Sequence, residues 1–372
     1  MIIKNANVFT ENQTFSKENI HIQNGVFCTP FTYSGSDIID ASGLYAIPGL
    51  VDIHFHGCNG YDFCDGTQEA IQAIADYESA NGTTTIVPAS MTYDKERLET
   101  IFQAAADFPN KKGSRLAGIN MEGPFISLEK KGAQNPAYIH KPDVDFFLDL
   151  QKTAKGLIKL VDIAPEEPGA MEFIKALKDQ VTISLAHTTA DYDTAHEAFE
   201  SGACHVTHLY NAMPPFSHRA PGVIGAAAES AKHVELICDG IHIHPSVVRA
   251  TFQLFGPERV VMISDSMMAT GLSNGLYALG GQPVKVTGNR ATLEDGTIAG
   301  SATNLLGCLR VAVKEMEIPL EQAVTATTVN PAKAVGLYDT CGSITPGKYA
   351  DLLLLDADLN LKHVILRGQL LS

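Results

Sequence analysis

"PGLVDIHFHG", residues 48–57, holds a turn (Pro48-Gly49), a short apolar run (Leu50-Val51) and two histidines two positions apart, His54 and His56. Side chains at i and i+2 of a strand share a face. The stretch therefore reads as a buried strand, 50–56, that delivers two imidazoles together at its C-terminal end. The form then repeats along the chain. Strand-like runs recur at 83–89, 116–122, 157–164, 181–187, 205–209, 234–239 and 260–265. Between them lie stretches such as "TQEAIQAIADYESANG" (67–82) and "DYDTAHEAFESGA" (191–203), with apolar residues recurring at three and four and Gly near the end. Eight strands alternating with helices predict an α/β protein, a (β/α)8 TIM-like barrel. Its reactive side chains should gather at the C-terminal ends of the strands.

The chain has 372 residues, more than the roughly 250 of such a barrel. The surplus lies at its two ends. Residues 1–47 and 338–372 read as short β runs broken by turn residues such as Asn24-Gly25 and Pro346-Gly347. We expect them to form a small β-sandwich module from both termini, around a metal-dependent barrel at 48–337.

Four more strands end in groups of the same chemistry. Glu122 closes "GINMEGPF", His187 lies in "ISLAHTT", His208 in "HVTHLYNAM" and Asp265 in "MISDSMM". Imidazoles and carboxylates at one end of a barrel, with no Cys among them, suit Zn, Fe or a similar divalent ion. Asp265 could also take a proton from a metal-activated water and return it to a leaving group. His205 lies three residues before His208 and faces the other way, as a core or interface histidine. His21, His140, His196, His233 and His363 read as surface residues. Arg219, in "YNAMPPFSHRAPG", is a cation suited to phosphate or carboxylate. Of His242 and His244, in "DGIHIHP", one should point into the site.

A formal net charge of −15 argues against nucleic acid and against anionic membranes. Seven cysteines, an odd number without a CxxC pair, read as free thiols of a reducing cytosol. The N-terminus lacks signal-peptide architecture and no apolar run is long enough to span a bilayer, so a soluble, cytoplasmic protein is expected.

"PGLVDIHFHG", "MEGPF", "AHT", "THLYNAM", "DGIHIHP", "SDSM" and the closing "GSITPGKYADLLLLD" together closely resemble the N-acetylglucosamine-6-phosphate deacetylases of the amidohydrolase superfamily. The resemblance runs over essentially the whole chain. It implies hydrolysis of the acetamide of N-acetylglucosamine 6-phosphate, with Glu122, His187 and His208 as the main metal ligands and Asp265 as the acid/base. His54 and His56 make a second metal position plausible, so one or two divalent ions per subunit are expected, Zn first, with Fe, Mn or Co open. The resemblance further implies substrate contacts from Asn211, Ala212, Asp239, Ala133, Gln134, Ile298, Ala299 and Gly300. It implies phosphate contacts from Arg219 and His242, reaching the neighbouring subunit of a homodimer.

Two positions depart from the family pattern. Gln134 stands where some members carry a His that polarises the acetyl carbonyl. Gln donates a hydrogen bond but cannot be a cation, so the second metal is expected to polarise instead. Ala220 stands where an acidic residue often follows the Arg. The alternative readings are deacetylation of the galactosamine epimer, and a cyclic-amide hydrolase with a carbamylated Lys ending its fourth strand. The only candidate for that Lys is Lys159, at the wrong end of its strand. A sensor that binds amino-sugar phosphate without turnover would be expected to lack a ligand or the acid/base.

Overall fold

A computed structural model describes residues 1–33 and 37–371. The barrel strands, in order, begin with Leu50–Asp52, Thr83–Ile86 (resuming at Ala89–Ser90) and Arg115–Leu116 (resuming at Ile119–Met121). They continue with Ile158–Ile163, Thr182–Leu185, His205–Val206, His233–Ile237 and Val260–Ile263. Each pairs in parallel with the next. Between the eighth strand and the first the ring is joined by loop backbone. Asp265 N donates to His54 O at 2.9 Å and His56 N to Ser266 O at 2.7 Å. The arrangement agrees with the expected TIM-like barrel. Val51, Ile53, Val87, Leu160, Ile237, Val261 and Ile263 form one apolar cluster, closed off by Ala332, Val335 and Cys341.

Outside the ring, helices pack with the periodicity their sequences carry. In Gln68–Ala80, Thr67 caps the first turn by accepting from Ala70 N. Ile71, Ile74 and Ala75 are buried, and so is Glu78 one helical repeat further along the same face.

The two ends of the sequence meet in one mixed sheet. Tyr45–Pro48 pairs antiparallel with Leu352–Leu355 and parallel with Ile2–Phe9. Strand alternation splits the apolar run 352–355 between two cores. Leu352 and Leu354 join Ile3, Ala6, Val8, Ile20 and Ile22 in a small cluster of their own, while Leu353 and Leu355 belong to the main core. Each fully buried Leu contributes about 1.5–3 kcal/mol, so these side chains bind the module to the barrel as firmly as they hold the module itself. The pairing of the two ends is as expected. It runs as one hydrogen-bonded sheet, whose far edge at Val26 returns to bridge Tyr349, just before Leu352.

An element absent from the sequence reading follows the eighth barrel strand. Gly275–Leu279, Gln282–Thr287, Arg290–Thr292 and Ile298–Ser301 form an antiparallel meander. Its turns sit at Gly280-Gly281 and Gly288-Asn289, dipeptides that mark hairpins. The strands themselves are short and half-exposed, and so carry little apolar periodicity. Among the described residues no helix is long and apolar enough to cross a membrane.

Candidate metal and catalytic site

The first barrel strand ends at Asp52, so His54 and His56 lie on the turn beyond it and not on the strand as expected. Asp52 bends the chain there, accepting from His54 N at 3.2 Å. Glu122, His187, His208 and Asp265 likewise sit just past the ends of the third, fifth, sixth and eighth strands. All six are buried. His187, His208 and Asp265 hold positive φ angles of 44°, 29° and 48°. Residues with a Cβ rarely adopt this region, at a cost on the order of 1–3 kcal/mol each. It lets the chain leave a strand while still aiming the side chain across the barrel mouth.

Glu122 is the centre. Its Oε1 lies 3.0 Å from His187 Nε2 and 3.2 Å from His208 Nε2. Its Oε2 lies 3.4 Å from His56 Nε2, and His54 Nε2 is 3.6 Å from Oε1. Two sets of donors therefore share one carboxylate: His54, His56 and Glu122, and Glu122, His187 and His208. His187 donates its Nδ1–H to Lys130 O at 2.7 Å, which leaves a lone pair on Nε2. That nitrogen lies 3.1 Å from His208 Nε2. His54 Nε2 is buried without a hydrogen-bond partner among the described residues. Electron-rich atoms converging in a buried space suit a cation between them, and this N/O donor set fits a divalent metal at either position.

Asp265 borders the set of His54, His56 and Glu122, with Oδ1 3.3 Å from His56 Nε2 and 3.9 Å from His54 Nε2. Burial pushes its pKa up, but the neighbouring imidazoles of His56 and His54 outweigh it, and the carboxyl ends below its ordinary range. Glu122 is held well below its own range. Burial opposes ionisation, and the neighbouring imidazoles of His54, His187 and His208 overcome it. Both carboxylates therefore stay ionised near neutrality, a form that can bind a cation or accept a proton.

Over this cluster opens a cavity of about 520 Å³, within the range of small-ligand sites. His56, Glu122, His187, His208 and Asp265 form its floor, and Asn211, Ala212 and His242 one side. Lys130, Lys131, Ala133 and Gln134 line it from the loop after the third strand, and Leu279, Ile298 and Gly300 from the meander. The loop and the meander are joined by a hydrogen bond from Gln282 to the Ala133 carbonyl.

Most of the predicted residues meet here. His242 lines the cavity, while His244 instead caps the helix Pro245–Phe255. Asp239 lies behind His242, accepting from its Nδ1 at 2.8 Å. Ala299 is buried within the meander, between Ile298 and Gly300. Gln134 is committed to the protein: its Nε2 donates to Glu122 Oε2 at 2.8 Å and its Oε1 accepts from Thr92 N at 2.7 Å. Arg219 is exposed, in a separate depression with Asp191, Tyr192 and Glu229. Lys159, the second residue of the fourth strand, is remote from the cavity.

The sequence reading missed Glu235. This fully buried residue of the seventh strand binds His54 Nδ1 and His205 Nε2, both at 3.0 Å. The sign was there: one Glu amid the apolar run "HVELI" (233–237). His205 is indeed a core histidine. His233 was expected at the surface, but it lies in the same strand as Glu235, half-buried, and burial pushes its pKa down to about 3.

A family model described as the amidohydrolase family matches residues 45–371. The chain belongs to the amidohydrolase family. Within it, an N-acetylglucosamine-6-phosphate deacetylase of Bacillus subtilis (strain 168) is 37% identical over 383 aligned residues, covering 100% of this chain and 96% of that protein. An N-acetylgalactosamine-6-phosphate deacetylase of Escherichia coli O157:H7 is 27% identical, covering 100% of this chain and 99% of its own length. Among solved structures, a mutant N-acetyl-D-glucosamine-6-phosphate deacetylase from Mycobacterium smegmatis, in complex with N-acetyl-D-glucosamine-6-phosphate, superposes with a TM-score of 0.93. It is 32% identical, over 100% of this chain and 98% of that one. This amidohydrolase therefore shares its whole length with these relatives.

Proposed function

We propose that this protein hydrolyses the acetamide of N-acetyl-D-glucosamine 6-phosphate to D-glucosamine 6-phosphate and acetate, a step of amino-sugar catabolism. The observation that carries the reading is the convergence of four histidines on Glu122, three of them on the floor of a ligand-sized cavity, with Asp265 beside them. Full-length likeness to deacetylases of this substrate supports it.

Glu122, His187 and His208 would hold one ion, and Glu122, His54 and His56 a second, with zinc the first candidate. Such an ion, when bound, brings the pKa of a water toward neutrality and polarises a carbonyl. Asp265 accepts the proton of the attacking water. It then passes that proton to the sugar nitrogen as the C–N bond breaks and acetate leaves. His242, steadied by Asp239, would hold the phosphate at the side wall with Asn211 and Ala212. Binding energy spent there positions the amide over Asp265. Gln134 holds Glu122 and leaves the acetyl carbonyl to other groups.

Arg219 faces outward, which suits a role at the neighbouring subunit's cavity in a homodimer. Residues 1–47 and 338–372 would form the supporting β-module and 48–337 the catalytic barrel. All seven cysteines are free thiols, in keeping with a cytoplasmic enzyme.

The test is acetate release from the gluco phosphate, its galacto epimer and the non-phosphorylated sugar, with metal-replete protein. Turnover of the gluco phosphate well above the other two is expected. Preference for the galacto epimer would move the substrate assignment, and no turnover of any of them would overturn the reading.

A further inference from the structure

Glu235 does not line the cavity and belongs to neither set of ligands, yet it is tied to both. Its Oε2 accepts from His54 Nδ1 at 3.0 Å and from His208 N at 3.1 Å, and its Oε1 lies 3.0 Å from His205 Nε2. Glu235, His54 and His205 are all fully buried. A carboxylate can only accept, so both rings must present N–H to it. The proton of His54 is thereby fixed on Nδ1, and Nε2, the atom without a partner, carries the lone pair that faces Glu122. A buried anion behind an imidazole also makes the far nitrogen a stronger donor to metal.

From this geometry we infer that the chain His205–Glu235–His54 is a positioning relay that selects occupancy of the metal position formed by His54, His56 and Glu122. The inference rests on the metal reading above. The position formed by Glu122, His187 and His208 does not depend on it to the same degree. His187 is fixed through Lys130 O, and His208 meets Glu235 only through its backbone N–H. His205 is the outer anchor. Without it one oxygen of Glu235 loses its partner and the carboxylate is free to turn.

The test is Glu235→Gln, with the two metal equivalents titrated separately by competition against a chelating indicator, using zinc. Gln offers one accepting oxygen where the carboxylate offers two, and it carries no charge. One equivalent should lose about 10- to 100-fold in affinity while the other moves by less than about threefold. A second pair of variants covers the case in which Glu235→Gln does not fold. His205→Leu should weaken the same equivalent, and His205→Gln, whose amide can still donate to Glu235 Oε1, should restore it. Unchanged affinities, or equal loss at both positions, would overturn the relay. Wild-type protein that binds one equivalent would also overturn it, while leaving the hydrolytic reading on Glu122, His187 and His208. Wild-type protein that binds none would overturn both.

Discussion

Replacing Glu78 by Gln should make the protein more stable at alkaline pH, by an amount that vanishes in acid. Glu78 sits on the buried face of the helix Gln68–Ala80, and neither carboxylate oxygen meets a partner in hydrogen-bonding geometry among the described residues. Burial, reinforced by the nearby charge of Asp52, pushes its pKa from 4.5 to about 8. In the unfolded chain the group ionises near 4.5; in the folded protein it keeps its proton until about 8. Below 4.5 both states are protonated and nothing is lost. Between the two values only the unfolded state is ionised, so stability falls as pH rises, and above 8 the loss is complete. At about 1.4 kcal/mol for each tenfold difference in proton affinity, the total is on the order of 5 kcal/mol. Gln cannot ionise and escapes that loss. Urea unfolding midpoints at pH 4.5 and pH 9 measure it, with an unchanged slope showing that the same surface unfolds. The midpoints should agree at the lower pH and separate at the higher one. Equal midpoints at pH 9 would refute the assignment of a buried acid that holds its proton far above its ordinary range.

Four further outcomes follow from the site. Asp265→Asn should lower turnover by about 10²–10⁴-fold while the protein still binds the amino-sugar phosphate in calorimetry. Chelation should abolish acetate release, and re-adding metal at 1,000 times its dissociation constant should restore both activity and about 4 kcal/mol of stability. Gln134→Ala breaks the bond to Glu122 and strands Thr92 N–H, so denaturation should show a loss of about 2–4 kcal/mol. Turnover at saturating metal should then fall by less than about tenfold, because both ends of the Gln134 amide serve the protein. Gly123→Ala should cost more than about 1 kcal/mol and weaken metal binding. Gly123 has a φ of +78°, and an added Cβ would lie 2.1 Å from Thr92 Oγ1, next to the ligand Glu122.

What the sequence disclosed, it disclosed through period and repetition. His54, Glu122, His187, His208 and Asp265 could be placed because each follows an apolar run, and a parallel barrel puts all such run ends on one rim. That the two ends of the chain form one β-module was legible because both read as strand; which strands pair, 45–48 with 352–355, was not. Glu235 was not legible in the same way. Its role depends on which rings reach it across the barrel, and no spacing along the chain records that. The meander was missed because half-exposed strands lack a clear period. Gln134 lines the cavity, but its partners Thr92 and Glu122 come from two other segments, and their geometry decides what its amide does.

The sheet that joins the two ends of the sequence has a consequence for how the protein is made. Tyr45–Pro48 leaves the ribosome early, but its antiparallel neighbour Leu352–Leu355 emerges only after the whole barrel. Until then one edge of that strand is open, and the small cluster around Ile3, Val8 and Ile20 lacks Leu352, Leu354 and Ile365. An open strand edge beside apolar surface invites pairing with other chains. A nascent chain paused anywhere between the first barrel strand and Leu352 would thus be prone to aggregation, even with every metal ligand already synthesised.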